Sequence, residues 1–395
     1  MLITPAVNMT PSPPKPSITK AGKENLIASN SALLLRRPNR MAMAAASASL
    51  GLMAVWLAMV AGARAQGLVP AVMIFGDSVV DAGNNNGLLT LVRANFPPYG
   101  RDFAPRRYPT GRFCNGKLAT DFVVENLGFS TYPPAYLSRD AAGKNLLAGA
   151  NFASAASGYL DRTANLYQAI SLTQQLENYR EYQSKLEQIA GGREKAAGII
   201  SGGINILSAG NSDYVQNYYI DPLLNGAYTA DQFADLLLSS FSSFVQNLYS
   251  LGARMIGVTS LPPMGCLPAA ITLFGGGSNY CVDRLNNDAV SFNKKLNTAA
   301  ENIKKSRSDL KLVVFDVYNP LLDLIKKPEN NGFFEARKAC CGTGTIETAL
   351  LCNAGSPGTC ANATGYVFWD SFHPSEAANK VLADALLLQG IELIS

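Results

Sequence analysis

The chain alternates short apolar segments with long amphipathic segments, and this alternation limits its possible folds more than any other feature of the sequence. Buried parallel strands are short runs of aliphatic and β-branched residues, whereas a surface helix repeats its apolar residues every three or four positions. The pattern therefore predicts a layered α/β domain with a mainly parallel sheet. The predicted strands are 71–75, 204–208, 255–259, 312–317 and a short strand at 366–369, and the long predicted helices are 169–188, 231–251, 286–305 and 374–388.

Composition sets the broad class of the protein. Of its 395 residues, 48% are hydrophobic and 16% are charged, a balance that supports a large buried core and excludes a disordered or collagen-like chain. Residues 66–395 contain neither an internal repeat nor a linker, so we expect them to form a single domain. Seven of the 33 lysines and arginines precede residue 66, against one of the 29 acids, so the rest of the chain is slightly acidic. This distribution gives no reason to expect a nucleic-acid partner.

Residues 41–65 have the pattern of a secretory signal peptide. An uncharged run begins at Met41 and follows three arginines, and small residues at the end of the segment predict cleavage before Gln66. A signal anchor that is never cut is the alternative, since the uncharged run reaches about 20 residues. We expect residues 1–40 to be a disordered extension, or an upstream start that the cell does not use. No second long apolar run follows, so we expect a secreted protein without a membrane span after cleavage.

The seven cysteines agree with export into an oxidising compartment, where disulfides are the default. Cys266 and Cys281 flank a glycine-rich loop and can pair, whereas the remaining connectivity is open from sequence alone. Cys114 lies far from the other six and is the candidate for a free thiol. A four-thiolate zinc site at the last four cysteines is a weaker alternative, because the paired C-x2-C spacing is missing. Asn362, in Asn-Ala-Thr, is a candidate glycosylation site.

The first predicted strand ends in Phe75-Gly76-Asp77-Ser78, which places a serine at the carboxyl edge of the sheet. Open α/β folds bind their ligands at this edge. Ser78 is therefore a candidate nucleophile, and its own amide can point at a developing oxyanion. An ordinary strand-to-helix turn capped by Asp77 or Ser78 is the alternative.

His373 is the only histidine of the chain, so sites that bind a metal through two or three imidazoles are excluded. Asp370 precedes it by three residues, on a loop where one turn lets the carboxylate hold the ring. Together with Ser78, these residues have the composition of a nucleophilic triad. A surface or helix-capping histidine is the alternative. The sequence has no G-x-S-x-G elbow, so this triad is built differently from that of the α/β-hydrolases.

Four segments carry a family resemblance: they are Gly76-Asp77-Ser78, 149–158, 208–214 and Asp370-Ser-Phe-His373. In this order they resemble the blocks of the GDSL esterase/lipase family, within the SGNH hydrolases and specifically its secreted plant branch. The resemblance implies a three-layer α/β/α, flavodoxin-like fold. It also implies Ser78 as nucleophile, His373 as base and Asp370 as the residue that orients the base, with no metal and no organic cofactor.

Two positions depart from the family's pattern at the oxyanion hole. The family uses the backbone amide of a glycine in the second block, and the matching residue here is Ala156, which keeps its amide. The third block of the family reads G-x-N-D, whereas this chain has Gly210-Asn211-Ser212-Asp213. Ser212 thus replaces the asparagine and can donate only through a shorter hydroxyl. The candidate oxyanion donors are the amides of Ser78 and Ala156 and the side chain of Ser212.

The resemblance implies a secreted serine esterase or lipase that cleaves carboxylic esters. Its natural ester is open between a lipid, a cutin-like polymer and an acetylated cell-wall glycan, and the last would make the protein a polysaccharide O-acetyl esterase. A catalytically weak extracellular binding module is the alternative from another class, suggested by Ser212. Tyr214, Tyr218 and Tyr219 follow the third block and are expected either to line an acyl pocket or to pack in the core.

Overall fold

The structure, a computed structural model, describes residues 68–105 and 108–395, so the predicted extension and signal peptide lie outside the described residues. The strands are β1 Val72–Gly76, β2 Gly149–Asn151, β3 Ile204–Ser208, β4 Met255–Thr259 and β5 Lys311–Phe315. They form one parallel sheet in the order β2-β1-β3-β4-β5. Flavodoxin-like folds have this order, and they bind ligands at the carboxyl edge between β1 and β3, where the strand order reverses.

Helices connect the strands. The α-helices are α1 Ala119–Asn126, α2 Asp161–Leu166, α3 Leu172–Ala190, α4 Arg193–Gly202, α5 Asn211–Asp213, α6 Pro222–Ala227, α7 Ala230–Ser250, α8 Pro268–Phe274, α9 Asp283–Ser306, α10 Tyr318–Lys326 and α11 Glu376–Ile394. Short 3-10 turns lie at Asn84–Gly87, Gly143–Ala148, Met264–Cys266, Pro328–Asn331 and Ala349–Leu351, and a π-helical turn lies at Tyr214–Tyr218.

The sheet lies between two helical layers. The larger core fills one face, where α3, α7 and α9 pack against alternate strand residues such as Phe75 and Leu207. The smaller core fills the other face, where Ile204 and Ile206 of β3 meet residues of α1 and α11. The side-chain period of two along β3 thus separates the two cores.

The predicted fold class is confirmed, because a mainly parallel sheet has helices on both faces. The strands at 204–208 and 255–259 and the four long helices are found, and the last helix begins at Glu376 and continues to Ile394. The amphipathic pattern identified these elements because each buries one continuous apolar face.

The predicted strand at 366–369 is wrong. Its residues make only isolated bridges, Glu335 with Tyr366 and Phe368 with Pro374. The segment is apolar because Val367, Phe368 and Trp369 are fully buried, not because it extends the sheet. β2 was not predicted, because it has only three residues and no β-branched side chain.

Three disulfides close loops after β4. Cys266 pairs with Cys281, as the glycine-rich loop indicated. The other two bonds join Cys340 to Cys360 and Cys341 to Cys352, and Cys114 is free and buried. All four cysteines of the zinc alternative are therefore bonded to one another, so that alternative is wrong.

Candidate active site

β1 places Ser78 at the carboxyl edge of the sheet. Gly76, the last residue of β1, has a φ of +131° and pairs with Ser208 of β3. A Cβ at Gly76 would lie 1.9 Å from the Ser208 carbonyl oxygen, so only glycine lets the two strands end this close. The Asp77 amide donates to the same oxygen at 2.9 Å. Gln175 of α3, which the sequence analysis missed, binds both the N–H and the C=O of Gly76 at 2.9 Å and secures the loop.

The structure brings the side chains of Ser78, His373 and Asp370 together. His373 Nε2 lies 2.7 Å from Ser78 Oγ, and His373 Nδ1 lies 2.7 Å from Asp370 Oδ1. All three residues are buried. Because a carboxylate only accepts hydrogen bonds, Nδ1 carries the ring proton and Nε2 can accept the proton of the serine hydroxyl. This is the arrangement that a nucleophile, a base and an orienting acid require.

A tight loop holds the acid and the base. Trp369 donates its amide to the His373 carbonyl at 2.8 Å. The amides of Phe372 and His373 both donate to Asp370 Oδ1 at 2.9 Å. The loop backbone therefore orients the carboxylate oxygen that contacts the imidazole.

Two residues that the sequence analysis missed hold the other oxygen of Asp370. The Tyr99 hydroxyl donates to Oδ2 at 2.7 Å, and the Thr348 hydroxyl donates at 3.0 Å. The Tyr99 hydroxyl in turn accepts the Ala349 amide at 2.8 Å. Burial, and then the charge of Asp370, raise the pKa of Tyr99 well above its ordinary range, so the phenol stays protonated. Tyr99 and Asp370 are 271 residues apart, and no local pattern connects them.

Two of the predicted oxyanion donors are amides without a partner in the chain. Within residues 68–105 and 108–395, the amides of Ser78 and Ala156 donate no hydrogen bond, although their neighbours do. Val79 donates to Asp77 Oδ1 at 3.0 Å, and Ala155 donates to Asp81 Oδ2 at 3.0 Å. Ala156 is fully buried and has a φ of +67°, a left-handed conformation that favours glycine.

Side chains from the loop after β1 donate hydrogen bonds to the segment before Ala156. Asn84 Nδ2 donates to the Ala153 carbonyl at 2.7 Å, and Asn85 Nδ2 donates to the Ala155 carbonyl at 3.0 Å. These contacts impose the local conformation, which explains why an alanine is held at a positive φ.

The third block lies beside the second block. Asp213 accepts the amides of Tyr159 and Leu160 at 2.6 and 3.2 Å and the Thr163 hydroxyl at 2.6 Å. Ser212 is buried next to it, and its hydroxyl makes no hydrogen bond inside the described part of the chain. The predicted third donor is thus unpaired at this edge, with no geometry that assigns it a role.

Three buried acids, Asp77, Asp81 and Asp213, lie in the segments that follow β1 and β3. Burial raises the pKa of Asp77 to about 7 and that of Asp213 to about 6. Burial also raises the pKa of Asp81 to about 6, although three amides donate to its carboxylate and lower it. These carboxyls titrate well above the usual range because their charged forms lose hydration.

The aromatic residues after the third block belong to the core. Tyr214 is fully buried, and Tyr218 stacks on Phe233 with ring centroids 4.7 Å apart. Tyr219 donates its hydroxyl to Asp288 at 2.8 Å. Of the two expectations for this cluster, packing is therefore the one that the structure supports.

Residues 68–105 and 108–395 offer neither a metal site nor a membrane-spanning helix. No group of three or more His, Cys, Asp or Glu side chains there can hold a metal ion. Over the same residues, no helix combines the length and the apolarity that crossing a membrane requires.

The chain matches the family model for GDSL-like Lipase/Acylhydrolase over residues 72–386. The GDSL esterase/lipase At5g22810 of Arabidopsis thaliana is 65% identical over 334 residues, which are 84% of this chain and 92% of that protein. The GDSL esterase/lipase APG of the same plant is 64% identical over 328 residues, 83% of this chain and 92% of that protein. A solved structure of a catalytic mutant of Axe2, an acetylxylan esterase from Geobacillus stearothermophilus, is 12% identical with a TM-score of 0.37, and covers 81% of this chain and 94% of that one.

The parallel sheet between two helical layers, with a serine at its carboxyl edge, defines a serine hydrolase of the three-layer α/β/α class. Within that class, the chain belongs to the GDSL-like lipase/acylhydrolase family. It is therefore a serine ester hydrolase, and the family and enzyme class predicted from the sequence are confirmed.

Proposed function

We propose that Ser78 is the nucleophile, His373 the general base and Asp370 the residue that orients the base. Ser78 Oγ attacks the ester carbonyl carbon while its proton passes to His373 Nε2. The alcohol then leaves with that proton, and the acyl group stays on Ser78. His373 next takes a proton from water, and the water oxygen attacks the acyl carbon. The bond to Ser78 Oγ then breaks, Oγ takes the proton back from His373, and the carboxylic acid leaves.

The observation that carries this proposal is the pair of 2.7 Å contacts on the two nitrogens of one imidazole. A surface or capping histidine has no reason to contact both a serine hydroxyl and a buried carboxylate. Because His373 is the only histidine, every imidazole proton transfer in this enzyme uses it.

The unpaired amides of Ser78 and Ala156 support their assignment to the oxyanion hole, with the Ser212 hydroxyl as a third donor. An amide without a partner can donate to the negative oxygen that develops in the transition state. Replacing the asparagine of the family by Ser212 shortens one donor and leaves the two amides.

The test is hydrolysis of p-nitrophenyl acetate, butyrate, octanoate and dodecanoate by the purified protein. Ser78→Ala and His373→Ala are each expected to lower kcat at least about 10³-fold to a similar floor, because the two residues act as a unit. Ser212→Ala is expected to lower kcat about 10²-fold. Ser242→Ala is the matched control, since its hydroxyl donates only to the Leu238 carbonyl within α7.

Full activity of either triad variant would refute the assigned roles. If the wild-type protein hydrolyses no ester, including an acetylated glycan, the weak binding module becomes the better hypothesis. A preference for acetate over all longer chains would favour the polysaccharide O-acetyl esterase.

We also propose that the protein is secreted, with the signal peptide removed, and glycosylated at Asn362. Three disulfides fit an oxidising compartment, and Asn362 is exposed. An enzymatic deglycosylation that changes the gel mobility of the wild-type protein, but not that of Asn362→Gln, is the expected result; equal mobility changes in both would contradict glycosylation at Asn362.

A further inference from the structure

A disulfide between Cys341 and Cys352 closes a short loop, which we call the disulfide loop. This loop lies against the segment that holds the proposed acid and base. The Cys341 amide donates to the Trp369 carbonyl at 2.8 Å, so the disulfide loop is attached to that segment where the loop begins.

Three successive residues of the disulfide loop reach Asp370 and its neighbours. The Glu347 carbonyl accepts the amide of the residue after Asp370 at 2.9 Å. The Thr348 hydroxyl donates to Asp370 Oδ2 at 3.0 Å. The Ala349 amide donates to the Tyr99 hydroxyl at 2.8 Å. These contacts form together only if the backbone of the three loop residues keeps one conformation.

The side chain of Glu347 turns back into its own loop. Its Oε1 accepts the amide and the hydroxyl of Thr343 at 2.8 and 2.7 Å. Its Oε2 accepts the amides of Thr345 and Ile346 at 3.1 and 3.2 Å. Both carboxylate oxygens thus hold the turn that immediately precedes Glu347, and this turn sets the direction in which the next residues leave it.

The Glu347 carboxylate is ionised at neutral pH. Burial acts to raise the pKa of Glu347, but its hydrogen bonds, that of the Thr343 hydroxyl first, lower the pKa to about 2. An ionised acceptor forms stronger hydrogen bonds than a neutral one. Gly342 leaves room for this side chain, since a Cβ there would lie 2.5 Å from Glu347 Cγ. The disulfide loop is therefore built around one charged carboxylate.

We propose that Glu347 is a positioning residue for Asp370. Its carboxylate holds the turn of the disulfide loop, and this turn brings the Thr348 hydroxyl to Asp370 Oδ2. Glu347 thus acts through Thr348 and not on the reacting atoms. The inference rests on the proposed function for the role of Asp370, which is to orient His373, and it deepens that function.

The loss of this support has a specific signature. The Thr348 hydroxyl stabilises part of the negative charge of Asp370. Without this donor, more of the charge acts on the imidazolium form of His373, so the ring holds its proton more tightly. Asp370 keeps its other donors, so catalysis should weaken without being lost. Removing the Glu347 carboxylate should therefore lower kcat, leave KM unchanged and move the titration of His373 to higher pH.

Glu335 offers a matched control. Its carboxylate also accepts two amides of its own loop, two and three residues later, at 2.7 and 3.0 Å. Its carbonyl accepts the Val367 amide at 2.8 Å. The donors to Asp370 in the described chain come from elsewhere. Glu335→Ala should therefore disturb a loop in the same way as Glu347→Ala, without removing a donor from Asp370.

The first measurement is kcat and KM with p-nitrophenyl butyrate. Glu347→Ala and Thr348→Val are each expected to lower kcat about three- to tenfold and to leave KM within about twofold. Because Glu347 acts through Thr348, the double variant should be no slower than the slower single variant. Glu347→Gln keeps one accepting oxygen, so its kcat should lie between those of Glu347→Ala and the wild-type protein. Glu335→Ala should match the wild-type protein in kcat.

Two results would overturn the proposal. One is a double variant whose loss in kcat is the product of the two single losses, since Glu347 would then act independently of Thr348. The other is an equal loss in Glu335→Ala, since any disturbed loop would then have the same effect. If Glu347→Ala fails to fold, Glu347→Gln, which has nearly the same volume, takes its place in both comparisons.

The second measurement needs no catalysis. Labelling histidine with ¹⁵N gives the imidazole signals of one residue in the untagged protein, because His373 is the only histidine. Its titration midpoint should rise by about 0.5 pH unit in Glu347→Ala and in Thr348→Val. The midpoint should not move in Glu335→Ala.

Two other ionisable groups act on the same pair. The charge of His373 interacts with Asp77, and the Tyr99 hydroxyl donates to Asp370. Both groups are the same in every variant, so a difference between variants reports the disulfide loop.

The two measurements separate this inference from the proposed function. If the midpoint rises as expected but no ester is hydrolysed, the proposed function fails and the assignment of Glu347 stands. If esters are hydrolysed but Glu347→Ala and Glu347→Gln change neither kcat nor the midpoint, the assignment of Glu347 fails and the proposed function stands.

Discussion

Tyr99→Phe removes one atom that holds the proposed orienting acid. The Tyr99 hydroxyl donates to Asp370 Oδ2 at 2.7 Å, and hydrogen bonds to charged groups contribute about 1.5–3 kcal/mol. The substitution also frees the Ala349 amide, but this residue is only half-buried, so water can replace the lost contact. We therefore expect the free energy of unfolding to fall by about 2–3 kcal/mol.

The effect on catalysis should be smaller. Asp370 Oδ1, the oxygen that contacts His373, keeps both backbone donors in Tyr99→Phe. We expect kcat to fall by no more than about tenfold, or ~1.4 kcal/mol, with KM unchanged, as befits a positioning residue. Thr348→Val removes the other donor to Oδ2. The double variant leaves that buried oxygen without a donor, so its loss in stability should exceed the sum of the two single losses.

Urea unfolding and p-nitrophenyl ester kinetics on the same samples measure both effects. Tyr159→Phe is the matched control, because Tyr159 is buried and its hydroxyl has no hydrogen-bond partner in the described chain. Its stability should stay equal to or slightly above that of the wild-type protein. The reasoning is refuted if Tyr99→Phe costs no more stability than Tyr159→Phe, or if the double variant is strictly additive.

Two further predictions concern the loops around Ser78. The pKa of Asp77 is 3.8 in the unfolded state and about 7 in the native state. Between these two values the carboxyl is protonated in the native protein and ionised in the unfolded chain. Its contribution to the free energy of unfolding therefore falls as pH rises from 4 to 7, by up to ~4 kcal/mol. Urea unfolding from pH 4 to 8 should show Asp77→Asn gaining stability relative to the wild-type protein as pH rises, and parallel curves would contradict this. Ala156→Gly relieves a positive φ and should raise the free energy of unfolding by about 0.5–1 kcal/mol. Ala155→Gly is the control, because φ is not positive there, and it should lower the free energy of unfolding. A lower free energy of unfolding in Ala156→Gly would show that the alanine is not strained.

Local sequence patterns correctly predicted the elements whose buried residues form one continuous apolar run in the chain. The strands at 204–208 and 255–259 coincide with the structure because each is a short apolar run with turns at both ends. The segment 366–369 has the same composition but lies in a buried loop, and composition reports burial without reporting which backbone groups pair. The strand β2 was not predicted, because its extended conformation depends on its pairing with β1.

By itself, the sequence determined which chemistry is possible. A single histidine three residues after an aspartate, and a serine after the first strand, leave one candidate triad and exclude metal sites built from two or three imidazoles. These residues are recognisable because each lies in a short motif whose spacing has a local meaning.

Only the tertiary structure decided how that chemistry is supported. Residues distant in the chain form two of these supports: the hydrogen bonds of Tyr99 and Thr348 to Asp370, and the hydrogen bonds of Gln175 to Gly76. The order of strands in the sheet creates these neighbours, and side-chain packing between layers determines which space is filled and which is left open. Neither the strand order nor the packing between layers is encoded in a single segment, so neither can be inferred before the chain has folded.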